Sequence, residues 1–177
     1  MLVYTQELCT GDTLFKQIYA RDKLDEEVSG KVALQLLEAV RALHACGIIH
    51  RDIKMENILL AGCPSNMHIK LVDFGTAVIG ESFCSREGIV VGTEEYASPE
   101  ALSADYFPES DLWAVGVTLF ILLSGTLPFE TELDTRRGQF EFAEEEWGNI
   151  SDGAKDLLRK IFVVDYRKRI SAEQVTH

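Results

Sequence analysis

His50-Arg51-Asp52-Ile53-Lys54-Met55-Glu56-Asn57, followed further along the chain by Asp73-Phe74-Gly75, is the stretch on which the reading of this sequence turns. Short apolar runs flank both segments. Ile48-Ile49 precedes the first, Ile58-Leu59-Leu60 follows it, and His68-Ile69-Lys70-Leu71-Val72 leads into the second. Apolar, β-branched runs bounded by polar turns predict short strands, so both segments are loops between strands. The first loop offers a carboxylate, an ammonium and an amide, and the second adds another carboxylate. Asn57 and Asp73 supply oxygen ligands of the kind Mg²⁺ takes. Lys54 can neutralise a phosphoryl oxygen. Asp52 can orient a hydroxyl and accept its proton. Transfer of a γ-phosphoryl group calls for this set of groups.

Outside this stretch the hydrophobic period is mostly helical. Val28, Val32, Leu36 and Val40, with Leu37 and Leu43, make one apolar face of a long helix over 28–46, and Gly47 stands where a terminating glycine belongs. Leu14 to Ile18 predicts a short helix. Asp111 to Ser124 predicts a helix buried on all sides, too short to span a bilayer. Ala154, Leu157, Leu158, Ile161 and Phe162 share a face of an amphipathic helix over 151–163. Ser171 is placed to cap another helix. Leu2-Val3-Tyr4-Thr5 is strand-like, and Thr10-Gly11-Asp12 punctuates the chain. Residues 73–98 carry little periodicity, and residues 125–151 read as acidic loop. The expected class is mainly α with a few short β-strands.

The chain has 177 residues, 46% hydrophobic and 26% charged, which is globular composition and excludes disordered, collagen-like and disulfide-dense classes. Lys and Arg total 17 against 29 Asp and Glu, a formal charge of −12. Such a chain repels nucleic-acid phosphates, so no nucleic-acid partner is expected. No membrane partner is expected either. Cys9, Cys46, Cys63 and Cys84 have no Cys-x-x-Cys spacing, which argues against a zinc or redox motif. Their scatter, with no visible targeting segment, fits a reducing cytoplasmic or nuclear compartment. The run Glu144-Glu145-Glu146 reads as a solvated face.

Taken as motifs, residues 50–57 match H-R-D-x-x-x-x-N and residues 73–75 match D-F-G. Ser98-Pro99-Glu100 stands where A-P-E belongs, and Asp111-Leu112-Trp113-Ala114-Val115-Gly116 resembles the buried central helix of the same family. Arg169 stands where that family pairs an arginine with the A-P-E glutamate. The sequence therefore resembles the serine/threonine protein kinases. Glu7-Leu8-Cys9-Thr10-Gly11, followed by Leu14-Phe15, is similar to the hinge of the calcium/calmodulin-dependent and calcium-dependent group. The resemblance implies a protein-kinase-like C-terminal lobe with the small N-terminal β-lobe absent, and makes residues 1–177 a partial domain of hinge and C-terminal lobe.

It also implies roles. Asp52 would take the substrate hydroxyl's proton and Lys54 would contact the γ-phosphate of ATP. Asn57 and Asp73 would hold Mg²⁺, and Thr93 would support Asp52 and Lys54. Glu7 and Cys9 would offer backbone groups to adenine, and Leu59 would pack beneath it. His50 and Phe74 would join a spine anchored at Asp111. Glu56 either meets a basic residue near the acceptor of a protein substrate or is a solvated loop carboxylate. Cys84 reads as a plain loop cysteine.

Several positions depart from the family. No glycine-rich loop precedes Glu7 and no V-A-I-K motif is present, so weak Mg-ATP binding by this chain alone is expected. A non-catalytic kinase-like binding module is the alternative reading. Thr13 replaces a hinge glutamate. Ile89 stands where many relatives carry a phosphorylatable threonine, with Ser85 the weaker substitute. The stretch between Phe129 and Trp147 is about ten residues shorter than the resemblance implies, in a region that tolerates length changes. No EF-hand loop is visible. The oligomeric state is not encoded in any recognisable feature.

Overall fold

The computed structural model describes residues 7–9, 11–61, 68–79 and 90–175. The strand expected at Leu2-Val3-Tyr4-Thr5, and the readings attached to Thr10, Cys63, Cys84, Ser85 and Ile89, lie outside the described residues.

The element order is α1 (Leu14–Arg21), α2 (Glu26–Ala45), β1 (Ile48–Ile49), β2 (Ile58–Ala61), β3 (His68–Leu71), β4 (Val78–Ile79), α3 (Pro108–Ser124), α4 (Glu132–Arg137), α5 (Glu144–Trp147), α6 (Asp152–Ile161) and α7 (Ala172–Val175). The mainly helical class with short strands is as the sequence predicts. The helix of that apolar face is α2, and it buries Ser29, Val32, Ala33, Leu36, Leu37 and Val40. It ends at Ala45, and Gly47 just beyond its C-cap has a φ of 70°, in the left-handed region that glycine adopts at no steric cost. Thr13, in place of the family glutamate, caps α1 by accepting from the Lys16 amide.

Helix α3 is the centre of the molecule. Pro108 opens it, suited to a first turn whose amides have no helical partner. Every residue from Ser110 to Ser124 is buried. One face packs on α2 and another on α5 and α6. At the α6 contact, a Cβ added to Gly116 would come within 2.5 Å of Ile161 Cγ2 and 2.9 Å of Phe162 Cε1. The missing side chain is what lets the helices meet.

Residues 125–151 are more ordered than the acidic loop expected. Thr131 and Asp134 cap each other to start α4, and Gly138 ends it with φ 60°. Phe142 and Trp147 pack on Phe120 of α3, with ring centroids 6.2 Å and 4.6 Å away. The charged residues of this stretch hid a cap and an aromatic anchor, and burial of those rings supplies the driving force. Ser171 caps the start of α7 through the Gln174 amide, as its sequence position predicts.

The strands form two antiparallel ribbons, β1 with β4 and β2 with β3. In register, Ile48 faces Ile79 and Ile49 faces Val78, while Ile58 faces Leu71 and Ala61 faces His68. Strand β4 falls inside the stretch that showed no period, because two residues are too few to display one. The connectivity has one important result. Loop 50–57 joins β1 to β2, and loop 72–77 joins β3 to β4, so pairing the ribbons sets the two loops side by side.

Gly116→Ala should lower thermal stability by about 1–3 kcal/mol, the usual cost of overpacking; unfolding by circular dichroism measures it. Glu26, at the start of α2, accepts from both the amide and the hydroxyl of Ser151 at the start of α6. These bonds hold its carboxyl below the ordinary 4.5. The stabilisation is complete above that value and is lost as pH falls through the lower folded one. The stability gap between wild type and Glu26→Gln should therefore close on acidification below pH 4.5, read from denaturation midpoints across pH.

Candidate active site

The loop after β1 is held in a conformation that costs energy. Arg51 has φ 67°, in the left-handed region, although it is not glycine. Such a residue costs on the order of 1–3 kcal/mol. The carboxylate of Asp111, in the first turn of α3, secures it. Its Oδ2 accepts from the His50 amide at 2.9 Å, and its Oδ1 accepts from the Arg51 amide at 3.0 Å. The His44 ring lies 2.9 Å from the same Oδ2. A carboxylate in a helix's first turn also sits well in the helix dipole.

His50 is fully buried, and its ring fixes what comes next. Nδ1 accepts from the Asp52 amide at 3.3 Å, so the ring proton is assigned to Nε2, which donates to Val72 O at 3.1 Å. The Val72 amide in turn donates to Asn57 O at 2.9 Å. Val72 is thus tied to both ends of the loop, which places Asp73 beside it. Phe74 lies over His50 with centroids 4.9 Å apart. The His50–Phe74 contact and the tie of His50 to Asp111 are present, while Phe74 stays 45% exposed rather than packed.

Four residues then meet. The Thr93 hydroxyl donates to Asp52 Oδ1 at 2.9 Å and accepts from Lys54 Nζ at 2.7 Å. Lys54 Nζ also lies 3.0 Å from Asp52 Oδ2. Asn57 Nδ2 donates to Asp52 O at 2.8 Å and to Oδ2 at 3.0 Å. Both Asp52 oxygens are therefore oriented by donors. Gly92 makes the meeting possible: its φ is 88°, and an added Cβ would run into Arg51 O. Asp73, exposed, also has positive φ, 62°, and its Oδ1 accepts from the Gly75 amide at 3.2 Å.

Leu59, Glu7 and Cys9 form a second group at the β2–β3 ribbon, away from the Asp52 network. Leu59 is half-buried on β2, opposite Lys70 of β3. The exposed Glu7 carboxylate is paired with Lys70, and Cys9 Sγ lies 3.8 Å from Glu7 O. Gly11 allows the connection back to α1, since a Cβ there would overlap Leu60 O. Glu56 is exposed within the 50–57 loop. Its carboxylate, after burial itself, helps push the Tyr96 hydroxyl far above its ordinary value.

Arg51 and Tyr106 were not singled out by sequence. Arg51 Nε donates to Thr76 O at 2.6 Å, and its guanidinium sits 5.3 Å from the Tyr106 ring centroid. The motif names Arg51 without giving it a partner, and no spacing points to Tyr106.

Among the described residues no group of three or more His, Cys, Asp and Glu forms a metal cage. Asn57 and Asp73 nevertheless fit a cation that takes its remaining oxygens from phosphates and water, as Mg²⁺ does. Because Asn57 Nδ2 is committed to Asp52 acceptors, its amide oxygen points elsewhere and is left to act as a ligand.

Residues 1–177 match the family described as the protein kinase domain. The chain belongs to that family. The kinase domain is similar to calcium-dependent protein kinase 9 of Oryza sativa subsp. japonica, with 44% identity over 96% of this chain and 30% of that protein. It is similar to calcium-dependent protein kinase 16 of the same organism, with 41% identity over 96% of this chain and 32% of the relative. Calcium-dependent protein kinase 13 of Arabidopsis thaliana is 39% identical over 96% of this chain and 33% of its own length. The chain thus spans about a third of the length of these relatives.

The kinase domain also shows the expected pairing of Glu100 with Arg169. Nη1 reaches Oε1 at 2.6 Å and Nη2 reaches Oε2 at 3.0 Å, with the two side chains 8% and 0% exposed. Arg169 further donates to Val163 O and Glu109 O and lies over the Trp113 ring. Arg169→Ala strands a buried carboxylate and should cost about 3–5 kcal/mol, read as a shift in denaturant midpoint.

Proposed function

We propose that residues 1–177 are the hinge and C-terminal lobe of a serine/threonine protein kinase that transfers the γ-phosphoryl group of ATP to protein hydroxyls. The observation that carries this reading is the closed Asp52–Lys54–Thr93–Asn57 network. Asp52 is held on both oxygens, so it can receive a hydroxyl proton in a fixed direction. Lys54 spends one proton on Thr93 and another toward Asp52, which leaves its third for a phosphoryl oxygen. Thr93 accepts from one and donates to the other, and so locks their separation. A lysine at this position is the serine/threonine pattern of the resemblance.

Asn57 and Asp73 would hold Mg²⁺, which when bound offsets triphosphate charge. On the ribbon side, Glu7 and Cys9 would meet adenine through their backbone, and Leu59 would supply the apolar surface below it. The exposed Glu56 favours protein substrates with basic residues near the acceptor, in keeping with the −12 balance. A cytoplasmic or nuclear setting belongs to the same proposal.

In a phosphotransfer assay with Mg-ATP and basic serine or threonine peptides, Asp52→Asn should lower kcat by roughly 10²–10⁴-fold. Full turnover in that variant would remove Asp52 from the proposed role.

A further inference from the structure

One side chain outside the Asp52 network touches both of its halves. Tyr106 is 2% exposed. Its hydroxyl accepts from the Val91 amide at 2.6 Å and donates to Val91 O at 2.8 Å. A neighbouring strand would satisfy an extended residue in the same two-point way. Val91 is followed directly by Gly92 and Thr93. The ring of Tyr106 faces the Arg51 guanidinium at 5.3 Å, and Arg51 precedes Asp52. Its hydroxyl therefore grips the segment that delivers Thr93, and its face rests on the loop that delivers Asp52.

We infer that Tyr106 is a positioning residue, whose hydroxyl clamps Val91 and thereby keeps the Thr93 hydroxyl on Asp52 and Lys54. Its catalytic consequence rests on the kinase reading above; the clamp itself does not. Geometry makes the clamp necessary. Gly92 passes so close to Arg51 O that the segment must stay at contact distance for Thr93 to reach both partners. Phe107 N and Ser110 fix the chain just after Tyr106 at the start of α3, so the hydroxyl is presented from a rigid element. The clamp uses only groups encoded in the chain and needs no phosphoryl group. That fits a sequence with Ile89 where relatives place a phosphorylatable threonine.

Tyr106→Phe keeps the ring under Arg51 and removes both hydrogen bonds. Amide hydrogen exchange tests the clamp without any assay of activity. In the wild type the Val91 amide should exchange about fivefold slower than in an unfolded chain, the protection one net hydrogen bond provides. Tyr106→Phe should abolish that protection and leave the α3 amides of Leu119 and Leu122 slow, which shows that the fold persists. An unprotected Val91 amide in the wild type overturns the clamp even if the variant fails to fold. Unchanged Val91 exchange in a folded variant overturns it too. In Mg-ATP-dependent peptide phosphorylation, Tyr106→Phe should lower kcat about tenfold with peptide KM unchanged, since Thr93 would no longer hold Asp52 and Lys54 in register. A raised KM with intact kcat contradicts positioning. If the wild type shows no Asp52-dependent transfer even at saturating Mg-ATP, the kinase reading falls, while the exchange result still decides the clamp.

Discussion

The carboxylate of Asp111 holds the site in place. It is buried at the start of an almost wholly apolar helix, where an unpaired charge would be costly. Two backbone amides and an imidazole meet it there. Those amides belong to His50 and Arg51, so the charge is satisfied only when Arg51 takes its left-handed conformation. The burial cost and the backbone strain are resolved by one arrangement. From it follow the His50 ring position, the placement of the Asp52 amide, and the tie through Val72 to Asp73.

The first turn of α3 has a second task. Ser110 Oγ donates to Glu100 and Glu109 O accepts from Arg169, so the Glu100–Arg169 pair is fastened beside Asp111. The segment that carries Thr93 and the loop that carries Asp52 are thus referred to the same turn of one rigid helix. Chemistry that depends on a few tenths of an ångström benefits from a shared origin, because independent supports would each add their own motion.

The sequence made much of this legible. The helical period found α2 and α6, the apolar run interrupted only by Gly116 and Thr118 found α3, and the two motifs singled out Asp52, Lys54, Asn57 and Asp73. Thr93 was legible only through resemblance, because its role is to bridge two residues far away in sequence. Hydrogen-bond partners such as His44 and Val72 had no signal, since backbone acceptors and through-space pairs leave no periodicity. Strand β4 and helices α4 and α5 were missed because elements of two to six residues are set by caps and tertiary packing rather than by their own pattern. Tyr106 was silent for the same reason: an aromatic before a helix reads as core, and only the fold shows where its hydroxyl goes.

The Glu26–Ser151 contact joins residues 125 apart in sequence, and Asp111 reaches back 61 residues to the His50 amide. Such contacts must close long loops before they return any energy. The loop of residues 50–57 thus owes its shape to closures over long stretches of chain, whereas α2 and α6 are built from contacts within one turn of each other.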